Sequence, residues 1–104
     1  MHVLCIGGED HALRIPFLTA LQNRGLQVSA AGTGASLPFS NHQIPYHQYQ
    51  FNRFGTRLAD SAAIGQLAQL IRRVQPDVIQ TFDTKPNLFA PLALDRAQAE
   101  GAAQ

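Results

Sequence analysis

His2-Val3-Leu4-Cys5-Ile6-Gly7-Gly8 is an unbroken apolar run that stops at two glycines. A strand exposed on one face would alternate apolar and polar residues. A continuous run suits a parallel strand covered on both faces, and it is expected to be the central one. A second such run, Val78-Ile79-Gln80-Thr81-Phe82, leads into Asp83-Thr84-Lys85-Pro86-Asn87. If the two strands lie side by side in an open parallel sheet, their polar tails meet at the carboxyl ends, where such sheets bind ligands.

Between these runs the chain alternates strand and helix signals. After the turn at Gly7-Gly8-Glu9-Asp10-His11, Pro16 fits the first turn of a helix, where its missing N–H needs no partner. Phe17, Leu18, Ala20 and Leu21 are expected to supply that helix's buried stripe, and Gly25 closes it in the left-handed conformation. Leu26–Ala31 reads as the second strand, followed by a polar loop at Gly32-Thr33-Gly34-Ala35-Ser36. Gln43–His47 reads as a short third strand, and Pro45 confines it to a sheet edge. Ile64, Leu67, Ile71 and Val74 recur at helical spacing, with Gln66, Gln69, Arg72 and Arg73 on the opposite side. Pro76-Asp77 ends that helix. Asn87 is expected to cap a last helix running to about Gln98, with Pro91 late in its first turn.

The resulting pattern, β-α-β-β-α-β-α, calls for an α/β fold: a Rossmann-like open parallel sheet in the order 3-2-1-4, on a single domain spanning 1–104. Strand four is then an exposed edge, which leaves the sheet partial.

Composition narrows the function classes. Eight Lys and Arg face seven Asp and Glu, and the basic residues are scattered, so no nucleic-acid partner is expected. No apolar run reaches the ~20 residues of a membrane-spanning helix, and the N-terminal run lacks the basic flank of a signal peptide. A cytoplasmic setting follows as the expectation. The lone Cys5 sits mid-strand as a small buried thiol and cannot form an internal disulfide. His2, His42 and His47 match no zinc spacing, and no metal is assigned.

Gly7 and Gly8 let the backbone approach a ligand closely, and amides at the start of the first helix could receive a phosphate or sugar oxygen. Any tight strand-to-helix turn also favours glycine. The dinucleotide fingerprint is absent, which disfavours NAD. His11, beside Glu9 and Asp10, is the candidate catalytic acid–base group, with a hydrogen-bonded surface histidine as the plainer reading. Thr81, Asp83, Thr84, Lys85 and Asn87 bring two hydroxyls, a carboxylate, an ammonium and an amide to the end of one strand. They are the candidate substrate-binding residues, against a plainer reading as helix cap and surface ion pair. Tyr49, Phe51, Arg53 and Phe54 either stack on an acceptor sugar or lipid carrier, or form a satellite cluster under a long loop.

The run Val78–Leu88, with Ile15–Val28 and Ile44-Pro45-Tyr46, resembles the N-terminal domain of family 4 glycosyltransferases of the bacterial polysaccharide type. The likeness spans roughly residues 3 to 94, and Thr84-Lys85-Pro86-Asn87 is its most specific part. The resemblance implies a glycosyltransferase-B architecture, in which this domain receives the acceptor and a second domain holds the nucleotide-sugar donor. It also implies transfer with anomeric retention and no metal. By carry-over, Gly7, Gly8 and His11 form a loop facing the donor phosphates, and Thr81, Thr84, Lys85 and Asn87 form the opposing wall. Gln80 departs from the family, many of whose members carry His there. The chain passes after Leu94 into an Ala/Gln-rich tail, so the expectation is the acceptor-side portion, inactive alone.

The partners so implied are a donor-binding glycosyltransferase domain or chain and a saccharide or lipid-linked acceptor. Peripheral contact with the inner face of the membrane goes with the latter. The nucleotide-sugar is a substrate, and no cofactor is expected. Two other classes fit the alternation of elements: a small flavodoxin-like or response-regulator-like binding module, and a homodimer pairing through its fourth strand.

Overall fold

In the computed structural model the described residues are 1–50, 57–82 and 84–102, without the side chains of 57–60, 84–89 and 101–102. Four strands form one parallel sheet: β1 (His2–Ile6), β2 (Gln27–Gly32), β3 (Tyr46–Gln48) and β4 (Val78–Thr81). Their order is β3-β2-β1-β4, as the sequence predicts. Four α-helices connect or follow them: α1 (Ile15–Asn23), α2 (Leu37–Ser40), α3 (Arg57–Val74) and α4 (Thr84–Ala102).

β1 is central, with Cys5 beside Ala30 of β2 on one side and Gln80 of β4 on the other. Its side chains alternate between two cores. Val3 and Cys5 join Ile15, Leu18, Val28, Ala30, Phe39 and Ile44 on the α1/α2 face. Leu4 and Ile6 join Leu67, Leu70, Ile71, Ala90, Ala93 and Ala97 on the α3/α4 face. Burial on both sides is the physical reason the run is uninterrupted. Alanines line the α4 side of this second core, which lets that helix lie close to α3.

Gly25 ends α1 at φ +85°, and the cap is complete. The Gly25 N–H donates to the Gln22 carbonyl at 2.9 Å and the Leu26 N–H to the Leu21 carbonyl at 3.2 Å, the paired bonds of a Schellman motif. Gln75, at φ 50°, makes the corresponding left-handed exit from α3 before Pro76.

Several expectations are corrected. Phe17 and Ala20 are exposed. The buried stripe of α1 is Ile15 and Leu18, with Leu21 half-buried, because the helix begins at Ile15, ahead of Pro16, and the spacing of three from that residue leaves Phe17 and Ala20 on the outer face. The third strand is Tyr46–Gln48, not Gln43–His47, since Gln43 takes a left-handed turn at φ 57°. The loop after β2 runs into α2, whose four residues bury Phe39. Finally, α4 starts at Thr84, so Asn87 lies within its first turn instead of capping it, and Pro91 falls inside the helix. Phe51, Arg53, Phe54 and Asp83 lie outside the described residues.

Candidate ligand crevice at the carboxyl edge of the sheet

β1 and β4 run parallel with Ile6 opposite Thr81, so Gly7 and Phe82 leave the sheet next to one another. The Phe82 N–H donates to the Ile6 carbonyl at 2.9 Å, and the Gly7 N–H donates to the Ala31 carbonyl at 2.8 Å. The glycine corner therefore sits between the ends of β2 and β4. The start of α4 follows Phe82 by two residues, which brings the backbone of Thr84, Lys85 and Asn87 to the same edge. Pro86 lacks an N–H, but the first-turn amides have no partner within the helix in any case.

The corner is closely packed. A Cβ placed on Gly7 would fall on the imidazole of His11, and one on Gly34 would stand 2.9 Å from the Glu9 carbonyl oxygen. Glycine is required here by space.

His11 points inward. It is 2% exposed, and its Nε2 lies 3.0 Å from the Cys5 carbonyl oxygen. A carbonyl only accepts, so Nε2 carries the proton. The ring lies between Phe39, at 5.4 Å between centroids, and Phe82, at 5.7 Å. Glu9 and Asp10, its neighbours in sequence, are exposed. Phe82 in turn meets Phe17 edge-on at 5.9 Å and carries the Arg14 guanidinium 5.0 Å above its ring.

Two tyrosines complete the frame of the site: Tyr46, which sequence reasoning left out of it, and Tyr49, which was expected in an aromatic cluster and is buried in the α3/α4 core. The Tyr49 hydroxyl donates to the Gly7 carbonyl at 2.7 Å. Tyr46 donates to the Gly34 carbonyl at 2.8 Å, with its ring stacked on Phe39 at 4.2 Å. Burial pushes the Tyr46 hydroxyl above its ordinary pKa, and it stays a protonated donor at neutral pH. The signal in the sequence was faint: a tyrosine that becomes buried needs a partner for its O–H, and the glycine loops offer carbonyls.

A separate open cavity of about 620 Å³ lies at the other end of β4, lined by Gln69, Arg72, Arg73, Gln75, Pro76 and Gln98. It is a gap between the last turns of α3 and α4, and it contains none of the sequence-predicted site residues. Among the described residues no helix is long and apolar enough to cross a membrane.

No protein-family model matches the chain, and no curated protein matches it in sequence. Solved structures do. MurG of Acinetobacter baumannii superposes with a TM-score of 0.67 at 19% identity over 88% of this chain. A protein of Listeria monocytogenes described as a UDP-N-acetylglucosamine 2-epimerase superposes with a TM-score of 0.72 at 20% identity over 93% of it. The chain spans about a third of these proteins, 32% and 28% of their lengths. At such identities the likeness establishes the fold: a four-stranded parallel sheet in the order 3-2-1-4 that matches part of a glycosyltransferase-B architecture.

Proposed function

We propose that this chain is the acceptor-side portion of a glycosyltransferase-B enzyme that passes sugar from a nucleotide-sugar to a saccharide or lipid-linked acceptor. The observation that carries the reading is the juxtaposition of the Gly7-Gly8 corner with the first turn of α4 at one edge of the sheet. Helix N-termini and closely approaching glycine backbone suit the oxygens of a diphosphate or sugar.

In this reading the backbone of Gly7 and Gly8, with Lys85, receives the donor diphosphate and stabilises the charge that gathers on it as the sugar–phosphate bond breaks and the glycosidic bond to the acceptor forms. Thr81 and the first turn of α4, with Thr84 and Asn87, belong to the wall that orients the acceptor. His11 is a strut beneath the glycine corner and not a proton carrier, because its imidazole is buried and its Nε2 proton is committed to the Cys5 carbonyl. The donor's base and sugar are gripped by a second domain or chain, so this portion alone holds a nucleotide-sugar weakly.

The test is complementation. The chain is mixed with a separately expressed donor-binding domain, radiolabelled UDP-sugars and a panel of lipid-linked and free saccharides. Labelled product that requires both polypeptides is the expected result. A stable complex that transfers nothing to any acceptor contradicts the proposal.

A further inference from the structure

The two tyrosines of the third strand and its exit reach the two glycine loops from opposite faces of the sheet. Tyr49 packs in the core under α3 and α4, whereas Tyr46 packs against the α1/α2 core. Each hydroxyl ends on a glycine carbonyl, Gly7 for Tyr49 and Gly34 for Tyr46. The segment that carries them is itself anchored. The Tyr49 N–H donates to the Gly32 carbonyl at 3.0 Å. Next along the chain, the Gln50 N–H donates to Gln66 Oε1 of α3 at 3.0 Å, and Gln66 Nε2 returns a bond to the Gln50 carbonyl at 3.3 Å. A Cβ on Gly32 would stand 2.8 Å from the Tyr46 hydroxyl, so a side chain there would press on the phenol.

Glycine loops lose more backbone freedom on ordering than any other sequence, and a loop ordered only by its ligand weakens binding accordingly. A peptide unit is planar and trans, so holding its carbonyl also fixes the direction of the N–H on the next residue. We infer that Tyr49 and Tyr46 are positioning residues that set the peptide planes of Gly7-Gly8 and Gly34-Ala35 in advance, so that the crevice meets its diphosphate or sugar oxygens with the loops already oriented. The inference rests on the crevice being the ligand site proposed above.

The test uses Tyr49→Phe, Tyr46→Phe and the double variant, each of which keeps the ring and removes only the hydroxyl. Amide hydrogen exchange in the ligand-free chain reads the clamp directly. Exchange at Gly8 should accelerate about tenfold in Tyr49→Phe, and at Thr33, whose N–H donates to the Gly8 carbonyl at 3.4 Å, in Tyr46→Phe, with Leu4, Ile6 and Leu67 unchanged. The probe ligand is UDP-N-acetylglucosamine, titrated against backbone amide shifts, and its half-saturation point should rise several-fold in each variant. Unchanged exchange at Gly8 and Thr33, or equal acceleration throughout the core, overturns the inference. Loosened loops with unchanged affinity overturn it as well. The exchange measurement needs no ligand, so the clamp can fail by itself; wild-type protein that does not bind the probe contradicts the crevice reading instead.

Discussion

β1 and β4 are neighbours in one sheet with similar apolar sequences, yet they differ in surroundings. Four of the five residues of β1 are buried, whereas β4 alternates between exposed and half-buried, with Val78 41% exposed. Among the described residues β4 pairs only with β1, and Val78 and Gln80 are exposed although their partners Val3 and Cys5 are buried with Ile15 and Leu18 of α1. An apolar run thus identifies a strand, while its depth depends on what lies beside it. The candidate crevice straddles this boundary, with a pinned glycine corner on the β1 side and a helix start on the β4 side.

The contrast should be visible in stability. Leu4→Ala removes a fully buried side chain from the α3/α4 core and is expected to cost about 3–4 kcal/mol, against less than about 1 kcal/mol for Val78→Ala, by urea denaturation. Equal losses would show that β4 is covered as deeply as β1. Gly7→Ala drives a methyl group into the His11 ring and should cost about 2–3 kcal/mol. Adding His11→Ala should recover part of that loss by opening space, which would not happen if the glycine were needed only for its conformational freedom.

Titration sharpens the same comparison. Burial pushes the Cys5 thiol from 9.0 up to about 11, so the folded chain keeps a proton that the unfolded chain loses between those values. Stability should therefore fall as pH rises through that window, and Cys5→Ala should flatten the decline in urea melts taken on either side of pH 9.0. In the native state the thiol should resist alkylation and react only after unfolding. The smallest effect belongs to Glu100, which Arg96 and Arg72 hold below its ordinary pKa at 2.8 Å and 3.2 Å. Its contribution is present above the unfolded value of 4.5 and disappears as pH falls through the lower folded value. Glu100→Gln should remove that acid dependence, and salt should weaken it because the pair is exposed to solvent.

The sequence made the covered strands and the long helix legible because both carry strong periodicity. Leu67 and Ile71 face the core where their spacing places them, with Ile64 and Val74 half-buried alongside. Short or irregular pieces were obscure for local reasons. α2 is four residues long and includes Pro38, too little for any period to register. The left-handed Gln43 delayed the third strand, and Ile15, which lies ahead of Pro16 and yet inside α1, takes the core-facing side in place of Phe17. At the site, the meeting of the glycine corner with the last strand could be read from chain order alone. The inward turn of His11 could not, because it depends on Phe39 and Phe82 closing over the ring from distant positions. The tyrosine clamp likewise joins residues 42 apart in sequence, Gly7 and Tyr49.

The most direct test of the crevice is a backbone amide map of the wild-type chain titrated with UDP-N-acetylglucosamine. Shifts gathered at Gly7, Gly8, Gly32, Gly34 and the first turn of α4, with weak affinity, are the predicted result. Shifts confined to the opposite end, at Gln69, Arg72, Arg73 and Gln98, would contradict it.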